Sequence, residues 1–165
     1  TAGTTTGEAL VYDPAASPSG NNVNTSNLLT LSATHPQLIS GTPNSWSFSG
    51  GTLNFGNYTS GQTTSLDVNG TINYVNCSGS LTFTLDGGAS GNINARQMSS
   101  GTNRLNYQIY RNGARNAIWG TGADAHAVLL IGTQSGTVTV YGRIPASQAA
   151  ADGTYTDTVN ITLNF

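Results

Sequence analysis

The last thirteen residues constrain this chain more than any other stretch. In Gly153-Thr-Tyr-Thr-Asp-Thr-Val-Asn-Ile-Thr-Leu-Asn-Phe165, Val159, Ile161, Leu163 and Phe165 recur at a period of two. Thr156, Thr158, Asn160, Thr162 and Asn164 fill the alternate positions. Side chains of a strand point to opposite faces in turn, so this pattern predicts one buried face and one wet face. β-branched residues are frequent and proline is absent. An apolar strand with a bare edge invites aggregation, so it requires a neighbour. The question for the rest of the chain is what lies beside it.

A second stretch alternates in the same way. In 23–33, Val23, Thr25, Leu29, Leu31 and Ala33 share one face. Shorter alternating runs follow at Gly51–Gly56, Val68–Cys77, Leu81–Leu85, Leu105–Ile109, Ala127–Ile131 and Thr137–Tyr141. Glycine, asparagine and aspartate punctuate them. Asn92–Asn103 reads as polar loop, and Pro145–Asp152 as a small Ala-rich connection with room for a helical turn. Short strands at this spacing, without a convincing helix, predict an all-β sandwich or barrel. Residues 1–22 read as an N-terminal extension and linker, 23–34 as a separate strand segment and 35–165 as the main domain. The extension holds one apolar island, Ala9-Leu10-Val11-Tyr12.

Composition narrows the function. Only 7% of the 165 residues are charged and the formal net charge is -2, against about 25% charged in an ordinary domain. All five cations are arginine. A chain this poor in positive charge lacks the basic face that nucleic-acid binding needs. No stretch is long and apolar enough to span a membrane. Cys77 is the one cysteine, so no intrachain disulfide forms.

Several segments together resemble the spore coat protein U domain, the pilin fold of archaic chaperone–usher pili. They are Gly51–Gly56, Leu105-Asn-Tyr-Gln-Ile-Tyr-Arg-Asn-Gly-Ala-Arg115, Trp119-Gly120, Val138-Thr-Val-Tyr-Gly-Arg-Ile-Pro145 and the C-terminal stretch from Gly153. Asn24–Ala33 resembles the N-terminal donor segment of such pilins. The resemblance spans Asn24 to Phe165, and its order carries more weight than any single motif. It implies an incomplete immunoglobulin-like β-sandwich, completed by the N-terminal donor strand of a neighbouring subunit. Val23, Leu29, Leu31 and Ala33 would be the donor plugs. Val159, Ile161, Leu163 and Phe165 would line the acceptor groove. The implied partners are identical subunits head-to-tail in a filament, with a periplasmic chaperone and an outer-membrane usher during assembly. The implied location is a cell-surface pilus reached through the periplasm, with the signal peptide already removed.

Two departures stand out. Many relatives bridge a first-strand cysteine to one at the place of Cys77; His35–Ser49 holds none, which makes Cys77 a buried thiol. Residues 1–22 also extend beyond the donor segment, and Glu8–Tyr12 is a second, shorter donor candidate. The donor strand has two possible destinations: a neighbour's groove, or its own chain in a closed monomer.

Catalytic chemistry finds little footing. The seven carboxylates form no acid/base pair by spacing, and Asp86 and Asp152 precede glycines as turn residues do. Asp157, on the apolar face of the last strand, reads as a hydrogen-bonded strand-end carboxylate. Asp124-Ala-His126 offers two metal ligands, and two do not make a site. No nucleophile elbow, phosphate loop or dinucleotide fingerprint occurs. Trp119 reads as core, and Arg111–Arg115 as a solvated hairpin tip. Trp46 is the aromatic best suited to a rival role, a sugar- or surface-binding tip adhesin; a coat protein that never polymerises is a further alternative. The reading is therefore a structural fibre subunit supporting adhesion or biofilm formation, with no catalytic residue, metal or cofactor.

Overall fold

A computed structural model describes residues 28–34 and 47–164. Nine strands succeed one another: β1 (Leu28–Thr34), β2 (Ser47–Ser49), β3 (Thr52–Asn54), β4 (Leu66–Leu85), β5 (Gln97–Ser100), β6 (Asn103–Asn106), β7 (Gln108–Tyr110), β8 (His126–Ile144) and β9 (Thr156–Asn164). Single 3-10 turns lie at Gly88–Ser90 and Gly122–Asp124, and no α-helix occurs among the described residues.

One long antiparallel pair organises the rest. β4 and β8 run antiparallel for nearly their whole lengths, with Leu66 opposite Ile144 and Phe83 opposite His126. Bulges interrupt the ladder on either side of Cys77. Asn76 adopts φ 54° there and Gly79 φ 84°. An inserted residue flips the alternation, and the buried set on β4 changes from Ile72 and Tyr74 to Cys77, Leu81, Phe83 and Leu85. The bulges also let this pair serve two layers. Its first part carries β2 on β4 and β7 on β8; its second part carries β9 on β4. Beyond β9 come β1 and then β3. Side chains from both layers meet in one core, including Leu29, Leu53, Ile72, Phe83, Ile109, Val140 and Ile161. This is the all-β, immunoglobulin-like sandwich expected from the sequence.

The chain changes layers at Gly50-Gly51. β2 pairs with β4 in one layer and β3 with β1 in the other. Leu53 and Phe55 then lie across the inner face of the first layer. A Cβ on Gly70 would come within 2.8 Å of Leu53, and one on Gly142 within 2.7 Å of Phe55.

Three local expectations need correction. Pro145–Asp152 forms no helical turn: Ser147 N–H donates to the Gln62 carbonyl (2.7 Å), and the Gln148 carbonyl accepts from Gly61 N–H (2.8 Å). A segment this short is below the length at which a helix sustains itself. The stretch 92–103 is not all loop, because Gln97–Ser100 pairs with Asn103–Asn106 about Gly101. The Arg111–Arg115 tip is anchored, with Arg111 donating to the carbonyls of Ala123 and Ala125 and Arg115 donating to Asn69 Oδ1.

Candidate functional site: the slot between β3 and β9

β1 lies between β3 and β9. It runs parallel to β9 through seven registered positions, from Leu28 opposite Thr156 to Thr34 opposite Thr162. It runs antiparallel to β3 through three, Leu28 to Thr30 opposite Asn54 to Thr52. Beyond the end of β3, Leu31 N–H donates to the Gly51 carbonyl at 3.0 Å. The period of two sends Leu29 and Leu31 inward, where both are buried. Leu31 stands opposite Val159, and Ala33 is in register with Ile161. The segment read as a donor strand therefore closes the sheet of its own chain. A tethered strand has a high effective concentration at its own slot, which favours this arrangement in a single chain.

The floor beneath it comes from β9 and β4. Val159, Ile161 and Leu163 are fully buried, and β4 sets Leu85 opposite Ile161 and Phe83 opposite Leu163. The structure thus brings Leu29, Leu31, Val159, Ile161 and Leu163 together. Val23 and Phe165 lie outside the described residues, as do Glu8–Tyr12 and Trp46.

The opposite edge of β9 is held by polar groups that the sequence pattern did not reveal. Tyr107 donates its hydroxyl to Asp157 Oδ2 at 2.6 Å. Asp157 Oδ1 accepts from Ala89 N–H at 2.9 Å and Thr158 N–H at 2.8 Å. Asp86 Oδ1 accepts from Asn160 N–H, and Asp86 N–H donates to the Asn160 carbonyl. Behind them lies Arg96, with no exposed surface. Its guanidinium donates to the carbonyls of Asp86 (2.7 Å) and Trp119 (2.7 Å) and to Gln108 Oε1 (2.6 Å). Burial pulls this guanidinium below its usual range, while the carboxylates of Asp86 and Asp157 act to keep it charged. Burial, followed by the bond to Asp157, pushes the Tyr107 phenol far upward, so it stays a donor. Asp157 is the hydrogen-bonded strand-end carboxylate expected. Arg96 sat in apparent polar loop, and a lone arginine among asparagines gives no periodic signal.

The remaining candidates resolve simply. Trp119 is buried, with its indole N–H on the Phe83 carbonyl at 2.9 Å. His126 stacks against it, ring centroids 5.0 Å apart. Among the described residues no group of three His, Cys, Asp or Glu side chains is arranged to hold a metal ion. Cys77 is buried, and desolvation pushes its thiol pKa up. Among the described residues no helix is long and apolar enough to cross a membrane.

Fold and slot together define a class: an all-β sandwich whose edge is closed by a strand drawn from the N-terminal side of the domain. The chain matches the Spore Coat Protein U domain over residues 23–162 and belongs to that family. Among solved structures it is similar to a chain in the pre-assembly complex of the CsuC chaperone and CsuE tip adhesion subunit, from the archaic chaperone–usher Csu pili of Acinetobacter baumannii. Identity is 27% and the TM-score 0.48, over 60% of this chain and 34% of that one. The chain thus spans about a third of that protein's length. A search of curated proteins finds no match.

Proposed function

We propose that the protein is a structural subunit of a cell-surface pilus, polymerised by exchange of its N-terminal strand between neighbouring copies. The observation that carries this reading is the slot itself. Among the described residues β1 pairs with β3 and β9 alone, and residues 35–46 join it in sequence to the rest of the domain. A strand held this way can leave without dismantling the β4–β8 pair. Family membership supports the same reading.

The direction of β1 supports exchange over permanent closure. In its own slot it is parallel to β9 at seven positions and antiparallel to β3 at three. Parallel pairing is slightly weaker per residue than antiparallel. A strand arriving from another copy is free to enter the other way round, gaining at seven positions what it gives up at three. Strand addition of this kind joins copies head-to-tail, and such contacts build open filaments. Before assembly, a periplasmic chaperone would occupy the slot, and an outer-membrane usher would manage the replacement. Adhesion and biofilm formation are the roles such a fibre serves.

A second reading, a secreted coat protein that stays monomeric, draws on the same closure of β1 within its own chain. One experiment separates the two. Purified protein in detergent, run without heating, gives a ladder of multimers that collapses on boiling if strands are exchanged. A single monomer band in both lanes would favour the coat protein and defeat the fibre.

A further inference from the structure

A side chain at Gly50 would meet β1 before anything else. The Gly50 backbone lies outside the left-handed region, so an alanine there meets no conformational penalty. A Cβ at position 50 would, however, overlap the Leu31 carbonyl oxygen and lie 2.7 Å from its carbonyl carbon and 2.9 Å from its Cβ. All three of the nearest atoms belong to the inserted strand. Gly51 differs: its nearest obstacle is the Thr71 carbonyl oxygen at 2.8 Å, within the body of the sandwich. The same contrast holds at Gly70 and Gly142, where Leu53 and Phe55 claim the space. At Gly50 the nearest obstacles to a side chain all belong to the contents of the slot.

We infer that Gly50 gates the slot, admitting a strand between β3 and β9 because it presents no side chain at the point where the occupant's backbone passes. β3 supports the occupant only as far as Thr30. Past that point the strand crosses the layer change at Gly50-Gly51, where Leu31 takes its bond from Gly51. An incoming strand long enough to cover β9 must cross the same place in either direction. A Cβ at 50 therefore bars the chain's own β1 and a neighbour's strand alike. The second half of that statement rests on the exchange proposed above; the first does not.

The test is Gly50→Ala in the full chain, read by hydrogen exchange. Overpacking at a contact this close lowers protection of the Leu29–Leu31 amides by about 10- to 100-fold, while Leu81–Leu85 and Val138–Val140 keep theirs. Unchanged protection of β1 would overturn the gate, and so would an equal loss across β1 and β4. Should the variant fold poorly, Gly50→Ala is placed on Leu31→Arg, in which a buried charge already expels β1. The urea midpoint then stays where Leu31→Arg alone puts it; a further drop would show that position 50 acts elsewhere. On unheated gels Gly50→Ala loses the wild-type ladder, and an intact ladder would overturn the gate for an incoming strand. If the wild type forms no ladder, the exchange reading fails while the amide result still decides the gate.

Discussion

The two edges of β9 are held by different chemistry. On one side lies β1, parallel, seven residues long, with Leu29 and Leu31 as its buried side chains. On the other side the C-terminal half of β9 pairs antiparallel with β4, and the N-terminal half is fastened by Asp86, Asp157 and the residues behind them. Apolar side chains on a strand can be withdrawn and replaced by others of similar shape, since burial energy is non-directional. Buried polar groups cannot, because each unpaired donor or acceptor carries its desolvation cost. On the exchange proposed above, the contrast makes β9 a fixed rail with one permanent and one replaceable neighbour.

The sharpest way to break that comparison is Arg96→Ala. It removes the donor from two buried carbonyls and the Gln108 amide. Each buried acceptor left unpaired costs about 1–3 kcal/mol, read together as a fall in the urea midpoint of the whole domain. A loss below about 1 kcal/mol would mean the fixed side is not held as described.

Leu31→Ala comes next. Truncating a buried leucine costs about 2–4 kcal/mol. On this account the cost falls on β1: its amides lose protection and the ladder weakens, while β4 and β8 exchange as before. Equal loss in β4 would make β1 an integral strand instead of a replaceable one.

Tyr107→Phe probes the fixed side more gently. It takes the hydroxyl from Asp157 Oδ2 and keeps the ring, a change of about 1–3 kcal/mol. The effect shows in the global midpoint and spares the ladder. Selective loss of the ladder would instead couple the polar clamp to the slot.

The replaceable side was legible in the sequence, and the fixed side was not. Leu29, Leu31, Val159, Ile161 and Leu163 announce themselves by alternation, because one face of each strand is wet and the other dry. Their meeting was implied by resemblance to a pilin, since periodicity identifies strands and says nothing about which lie side by side. β4 was read as two strands because the bulges beside Cys77 shift its phase. The Tyr107–Asp157 and Arg96 contacts join residues 50 and 10 or more positions apart through isolated hydrogen bonds. Such bonds leave no period to detect. Gly50 was hidden for another reason: a glycine in a glycine-rich loop looks like punctuation until the strand passing over it is seen.

The smallest effect belongs to the outer face of the β4–β8 pair. Asp67 accepts from Arg143 at 2.7 Å and lies 3.5 Å from Arg115. The hydrogen bond from Arg143, helped by the charge of Arg115, holds the Asp67 carboxyl below the usual aspartate range, against a smaller opposing push from burial. A carboxyl whose folded pKa is depressed stabilises the fold above its unfolded pKa, and that contribution disappears as pH falls through the lower folded value. The pair sits about one-third exposed, so solvent screens it and its worth stays under about 1 kcal/mol. Asp67→Asn should therefore lower the urea midpoint slightly at neutral pH and flatten its decline in acid. It should leave the ladder intact, because neither neighbour of β9 depends on it. A ladder that vanished with Asp67→Asn would place a subunit contact on this face and show that the slot is not the whole of the assembly.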